Sequence, residues 1–312
     1  MTLFAIILTL FIEQVKPLQV RRYVLGPLAR YSLLFERQFN DGQHKHGMVA
    51  WLLAVIVPSV LILVLQTALW WTQPVLAFAL AVAVLYLTFG FRHSSHFFSD
   101  IHLALRANDV ARARQLLAEW RSRSGDRLSS NEVARLAIEE ALIASHRHVF
   151  APMFWFAILG PAGAVMYRLA LFFNDQWGGR VEIGQDVEFG EFGRFARKAF
   201  AFIDWLPLRC TAVGFAIVGD FEDAIYCWRT QAKSWTFGEY GILLASGAGA
   251  LGVRLGLPLH DDVGDLGDRP ELGLGEDADA DFLQSTIGLV WRTLVLGLLV
   301  LTLFWLGSLV GN

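Results

Sequence analysis

The feature that most limits what this chain can fold into is the length of its apolar runs. Residues 287–310, IGLVWRTLVLGLLVLTLFWLGSLV, contain a single charged residue, Arg292, near their start. That run exceeds the roughly 20 apolar residues that carry a helix across a bilayer. A second block is a helical hairpin: VAWLLAVIVPSVLILVLQTALWW ends at Trp71 and PVLAFALAVAVLYLTFGF starts at Pro74, with only Thr72 and Gln73 between them. Pro58 falls inside the first arm, where a lipid-phase helix tolerates a kink, and Trp70 and Trp71 mark an interface. One large soluble α/β domain would instead show short apolar strands alternating with half-polar helices.

Composition agrees with the bilayer. Hydrophobic residues make up 55% and charged residues 18% of the 312 residues, where a soluble domain carries about 25% charged residues. The mean hydropathy is +0.45. A net charge of −3, with no interleaved basic and aromatic stripe, gives no footprint for nucleic acid. Cys210 and Cys227 lie in or beside apolar sequence without zinc or redox spacing, and are read as inert, buried thiols.

The remaining segments follow from charge and glycine. Residues 1–12 are apolar but short, with no basic residues before them, and read as a retained anchor. Residues 13–48 carry Lys16, Arg21, Arg22, Arg30, Arg37 and Lys45, and residues 92–149 carry nine arginines, which puts both on the cytoplasmic side. The second of these holds two amphipathic patterns, one opening on a Ser129 or Ser130 cap with Glu132 in its first turn. Residues 149–173 have spanning length and are interrupted by Gly160, Pro161 and Gly163, which predicts a bent or broken helix. Residues 174–194 are net acidic with several glycines, which fits the opposite face. Residues 239–258, rich in Gly, Ala and Ser, predict a central segment surrounded by protein. Residues 260–281, with nine acids and Arg269 as the lone base, predict a solvated loop.

The expectation is an all-α polytopic integral membrane protein of five to seven segments with broken or re-entrant helices, placed in a bacterial inner membrane. It forms one membrane domain over residues 1–312, with a cytoplasmic helical region at 92–149 and an acidic loop at 259–286.

No P-loop, dinucleotide fingerprint, nucleophile elbow or H-E-x-x-H occurs. His93 and His96 stand three apart without a carboxylate or thiolate at ligand spacing, and EDADAD at 276–281 lacks the sixth-position Gly and twelfth-position Glu of an EF-hand. No metal and no cofactor is expected. Charged groups inside membrane segments face the bundle interior, pair, or line a cavity. That rule singles out IDWLPLRCTAVGFAIVGDFEDAIYCW at 203–228. Pro207 suits the first turn of a helix, which puts Asp204 at its N-terminus. Five residues apart, Asp204 and Arg209 lie about 140° apart on an ideal helix and share a face only if Pro207 breaks it. With Arg147 and Glu222 they form the expected ligand cluster, to which Trp205, Asn108 and Asp109 are added.

The opening MTLF, the FAPMFW at 150–155 and above all DWLPLR with the downstream AIVGDFEDA and Trp228 resemble the AmpE family. AmpE-like proteins are inner-membrane proteins tied to peptidoglycan recycling and β-lactamase induction. The resemblance implies a role in cell-envelope signalling that binds a small-molecule or cell-wall-derived ligand without catalysis. Membrane lipids are the other expected partner, self-association stays open, and no nucleic acid is expected.

More distantly, LRAND at 105–109, Ala151-Pro152, LPLR at 206–209 and GALGVRLGLP at 249–258 are similar to the CobD/CbiB group. Its members are membrane enzymes that attach an aminopropanol phosphate to a corrin carboxyl in cobalamin synthesis. Against that pattern the chain has SHRHVF before Ala151-Pro152, and apolar Phe200, Ala201, Leu243 and Leu244 where that group has polar residues. Amide formation needs polar groups around the carboxyl, so these departures imply a retained scaffold with the ligase site lost. A transporter or a lipid-binding membrane protein also fits the pattern, since broken helices build such sites.

Overall fold

The computed structural model describes residues 2–15, 24–40, 44–121, 127–178, 187–235, 239–259 and 269–310. In chain order the helices are α1 (Thr2–Val15), α2 (Gly26–Phe39), α3 (His44–Trp51), α4 (Val57–Thr72), α5 (Pro74–Thr88), α6 (Phe91–Arg106), α7 (Val110–Arg121) and α8 (Ser130–Ser145). They continue as α9 (Ala151–Leu159), α10 (Pro161–Phe173), α11 (Val187–Val218), α12 (Phe221–Gln231), α13 (Gly241–Leu251) and α14 (Ala280–Val310). Short strands β1 (Val253–Gly256), β2 (Glu271–Leu272) and β3 (Glu276–Asp277) precede α14.

Four helical stretches are long and apolar enough to cross a membrane: His44–Thr72, Ser130–Leu159, Phe192–Val218 and Ala280–Ser308. Helices α1, α5 and α13 are shorter and also apolar. The chain is an all-α, multi-pass membrane protein, as its apolar runs require. It divides into two compact units, Met1–Gly90 with Arg147–Pro207, and Phe91–His146 with Leu208–Asn312.

In the first unit, the prolines explain where the helices bend. Pro58 has no N–H to give to the carbonyl four residues earlier, that of Ala54. The chain widens there into a π-turn over Leu52–Ile56, and the Tyr31 hydroxyl donates to Ala54 O at 3.3 Å. Burial pushes the Tyr31 phenol above its ordinary value, which keeps it a donor. The break expected after residue 159 is present: Gly160 sits at φ 62°, ψ −149°, and Pro161 opens α10. A side chain at that φ would be strained, so only glycine turns the chain here cheaply. The core gathers on α10, where buried Phe173 and Phe192 pack on Trp177 with ring centroids 4.3 and 5.0 Å away. The indole N–H of Trp177 reaches Ser32 Oγ at 3.1 Å and Glu36 Oε1 at 2.9 Å.

One expectation fails here. Pro207 does not open a helix: α11 passes through it unbroken, so Asp204 is not a helix cap. A membrane helix tolerates the lost bond because neighbouring groups satisfy the freed carbonyl.

The second unit holds α8, whose capping box forms as expected. Ser129 Oγ accepts from Glu132 N at 3.3 Å while Glu132 Oε2 accepts from Ser129 N at 2.7 Å. The helix is more buried than an amphipathic pattern alone requires. Eleven of its 16 residues are buried, and it continues through a π-turn at His146–Phe150 into α9, so that the apolar stretch begins at Ser130 rather than near residue 149. Sequence hydropathy underrates such a segment because it counts Arg135 and Glu139 as solvated when both are buried.

Of the stretch 239–258, expected to be a helix surrounded by protein, α13 forms the first part, with nine of its 11 residues buried, while Val253–Gly256 leaves the helix as β1. A Cβ at Gly249 would stand 2.5 Å from Asp223 O, so α12 and α13 pack backbone to backbone only with glycine there. The acidic stretch is not wholly a solvated loop. β1 pairs antiparallel with β2 (Leu255 opposite Leu272) and parallel with β3 (Val253 opposite Glu276), and α14 begins at Ala280. Residues 260–268 of that stretch lie outside the described residues.

Candidate functional site

Polar groups concentrate in each unit separately. In the first, they stand on α10 and on the π-turn between α8 and α9. The guanidinium of Arg168 is 7% exposed, and its Nη1 lies 2.9 Å from His148 Nδ1. A guanidinium cannot accept, so Nδ1 accepts and His148 is the neutral tautomer with its proton on Nε2. Among the described residues no carboxylate pairs with Arg168. Asp175, the acid whose field reaches it, is already bonded to Arg147 Nη2 at 3.0 Å. The acid that bears on Arg168 is thus engaged by a second guanidinium. A buried cation left in that condition is costly and draws an anion.

One residue earlier on α10, buried Tyr167 donates its hydroxyl to Asp204 Oδ1 at 2.9 Å. Asp204 is 3% exposed. The expectation of an interior carboxylate with a polar neighbour from another segment is met for this residue. Trp205 beside it is 55% exposed.

In the second unit, a buried ion pair joins Arg269 to Glu139 Oε2 on α8. Glu139 Oε1 accepts from Gly256 N at 2.9 Å, and Arg135, one turn before it on the same face, donates to Pro258 O at 3.1 Å. The GALGVRLGLP stretch is thus tied to α8 through one Arg and one Glu. Beside Arg135 opens a pocket of about 180 Å³ whose wall includes Glu132, Asn131 and Asp277. The indole of Trp235 stacks under Arg269 with 5.2 Å from its guanidinium carbon to the ring centroid.

The residues singled out from the sequence fall in both units. Arg147, Asp204 and Trp205 belong to the first, and Asn108, Asp109, Arg209 and Glu222 to the second. Within the first, Arg147 pairs with Asp175 and Asp204 accepts from Tyr167. Asn108 takes a left-handed conformation at φ 56°, and Asp109 accepts from Arg112 N at 2.9 Å, ending α6 and starting α7. LRAND is therefore the hinge of a helical hairpin. Glu222 is an exposed first-turn acid of α12, and Arg209 is half-buried on α11.

Three of the four acids of EDADAD have a structural use: Asp277 pairs with Arg254 at 2.7 Å, Asp279 accepts from Asp281 N and Phe282 N, and Asp281 pairs with Arg106 at 2.8 Å. Burial and the nearby Arg106 hold the His102 imidazole below its ordinary value, against Asp281. The side chain of His93 lies outside the described residues. Cys227 is buried as expected, its thiol pushed up to about 11 mainly by burial and then by Asp223. Cys210 is exposed, which corrects the expectation for that residue. The outward face of a spanning helix is apolar, so hydropathy cannot separate burial in protein from exposure to lipid.

Sequence reading missed Arg168, His148, Tyr167, Arg135 and Glu139. Two signals were present: the four-residue spacing of Arg135 and Glu139 on an apolar helix, and a lone Arg269 within an acidic stretch.

Comparison of the sequence with known proteins shows its family. The family model described as CobD/Cbib protein matches residues 3–290. A cobalamin biosynthesis protein CobD of Stutzerimonas stutzeri is 35% identical over 287 residues, covering 90% of each chain. CobD of Chromobacterium violaceum is 35% identical over 221 residues, covering 70% of this chain and 68% of its own. CbiB of Salmonella typhimurium is 24% identical over 241 residues, covering 73% and 72%. No solved structure matches. These matches overturn the AmpE-like, cell-envelope signalling reading: the family model and the relatives are of the CobD/CbiB type over nearly the whole chain, and nothing among them is AmpE. By a family match across most of its length and a relative at 35% identity, this chain belongs to the CobD/CbiB family.

Proposed function

We propose that this protein is a membrane enzyme of cobalamin biosynthesis that condenses the amine of an aminopropanol phosphate with a corrin carboxyl group. The amine nitrogen attacks the carboxyl carbon: a C–N bond forms, a carboxyl C–O bond and an N–H bond break, and the oxygen leaves on a phosphoryl group that a nucleoside triphosphate supplies. The family supports the pathway, since its curated relatives carry the name cobalamin biosynthesis protein. The observation that carries the substrate class is Arg168: a buried guanidinium on an apolar helix, bonded to a neutral imidazole and lacking an ion pair among the described residues. Both reactants in this reading are anions, through a phosphate and through carboxylates. A charge-assisted bond from Arg168, flanked by Arg147, holds such a group where water is scarce.

The departures from the family pattern bear on which residues do the work. Phe200 is buried with its ring centroid 5.7 Å from that of Tyr167, and Leu243 and Leu244 are fully buried. These positions pack the interior. In this reading the polar work falls to Arg168, His148, Arg147 and Asp204, and the expectation that apolar packing at 200, 201, 243 and 244 removes the reaction is set aside.

The test is direct. Membranes containing the protein are incubated with the corrinoid acid, the amino alcohol phosphate and a cell extract lacking the host's own family member. The amide product, measured by mass, is expected with the native protein and absent with Arg168→Ala. No product above the extract alone would overturn the reading.

A further inference from the structure

The second unit contains a cavity that the proposed reaction does not use. It encloses about 240 Å³ between α6, α7, α8 and α14. Its wall is mostly apolar, with hydroxyls from Ser95 and Ser99 on α6, Ser145 on α8 and Thr286 on α14. On α8, Ala141, Ala144 and Ser145 recur at helical spacing and leave room where larger residues would close it. Opposite stand Phe98 and Trp120, which are themselves fixed: the Trp120 indole stacks on Phe97 at 6.3 Å and meets Phe98 edge-on at 6.4 Å.

The hydroxyls on the α8 and α14 walls are spent on their own helices. Ser145 Oγ donates to Leu142 O at 2.8 Å, and Thr286 Oγ1 donates to Phe282 O at 2.8 Å. That leaves Ser95 and Ser99 on the α6 side as the polar end of a cavity whose remaining wall offers water few partners and favours an apolar guest.

What the guest is follows from where the cavity lies. Two of its walls are Ser130–Leu159 and Ala280–Ser308, both stretches long and apolar enough to cross a membrane. Trp291, on the α14 wall, is 41% exposed, and beyond it on the same helix Val295 and Leu299 are 59% and 52% exposed. A spanning helix with such a face meets acyl chains. The cavity is therefore continuous with a surface already bathed in hydrocarbon.

We propose that this cavity is a binding site for one acyl chain of a membrane phospholipid, which enters past Trp291 and ends against Trp120. The occupant wedges α14 apart from α6 and α8 and so couples the packing of this unit to the surrounding bilayer. A corrinoid is too large for the space, and apart from Ser95 and Ser99 on one side the wall presents rings, methyl groups and hydroxyls already bonded to backbone.

The experiment uses the full chain in vesicles of phosphatidylcholine with or without bromine near the chain ends. Bromine quenches tryptophan only on contact, and the share belonging to Trp120 is the difference between the native protein and Trp120→Phe. The proposal expects that share to be quenched in the native protein and lost in Ala144→Leu, which fills the cavity, while quenching of the lipid-facing tryptophans persists. Should Ala144→Leu fail to insert, Ala141→Leu fills the same space from one turn earlier. An unquenched Trp120 in the native protein, as a dry void or a different guest would give, overturns the proposal. Equal quenching in native and filled proteins also overturns it, because Trp120 would then be touching bulk lipid.

Discussion

Glu139 and Arg269 form an ion pair with both side chains almost wholly removed from solvent, 7% and 4% exposed, and Glu139 uses its second oxygen to accept from Gly256 N. This one carboxylate fastens α8 to β1 and to the stretch that follows residue 268. Removing one partner of a buried pair strands the other, at a cost of about 3–5 kcal/mol. Arg269→Ala and Glu139→Ala are each expected to lower the melting temperature in detergent sharply, while Glu139→Met with Arg269→Met loses much less. A double variant as unstable as either single one would show that the charges do more than satisfy each other.

Arg168 makes a separable prediction. Removing Arg168 breaks its bond to His148 at 2.9 Å but also relieves the cost of a buried cation without an ion pair, and the two effects offset each other. Hydrogen bonds to a charged group are worth about 1.5–3 kcal/mol. Arg168→Ala is therefore expected to raise the Kd of an anionic substrate roughly 10- to 100-fold, with the melting temperature changed little. Titration of purified protein with the amino alcohol phosphate and with the corrinoid acid identifies which anion is affected. A large fall in stability with unchanged binding would mark Arg168 as structural.

Gly249 lies in the GALG stretch, at the point where a Cβ would press on Asp223 O at 2.5 Å and Ala224 Cα at 2.7 Å. Overpacking of this kind costs about 1–3 kcal/mol. Gly249→Ala is expected to separate α12 from α13 and reduce the yield of folded protein, whereas Gly307→Ala, where a Cβ meets nothing within 4 Å, is expected to be neutral. Monodisperse yield on gel filtration reads both.

Cys227 titrates at about 11, since burial and then Asp223 disfavour its thiolate. The thiolate is the reactive form, so at pH 7–8 maleimide is expected to leave Cys227 unmodified in folded protein. Its labelling should rise only as pH approaches the titration range, or at once on denaturation. Mass spectrometry of the labelled chain distinguishes it from exposed Cys210. Rapid labelling of Cys227 at pH 7 would contradict the burial.

The sequence made the fold legible wherever one residue's chemistry decides the outcome. Glycine and proline at 160 and 161 predicted the α9–α10 break, Ser129 and Glu132 predicted a cap, and small residues at 239–258 predicted a helix surrounded by protein, which holds for 241–251. It misled wherever burial inverts the meaning of a charge. Arg135 and Glu139 counted as surface charge in the sequence, yet they are buried and bonded to backbone. Pro207 looked like a helix start because its consequence depends on neighbours that satisfy the freed carbonyl. The site was legible only in part for the same reason. Asp204 stood out because it interrupts apolar sequence, but Tyr167 and Arg168 sit in a run where only the fold shows what they meet. The family was visible in GALGVRLGLP and Ala151-Pro152, and the stronger weight given to DWLPLR led to the wrong one.

Whether this chain carries out its family's step in a living cell is the most direct test of the central claim. It is expressed in a host deleted for its own CobD/CbiB relative, and corrinoids are extracted and weighed by mass spectrometry. The native chain is predicted to restore the amide-linked corrinoid and growth dependent on it, and Arg168→Ala at equal membrane abundance is predicted not to. Accumulation of the unjoined corrinoid acid despite native protein in the membrane would contradict the claim.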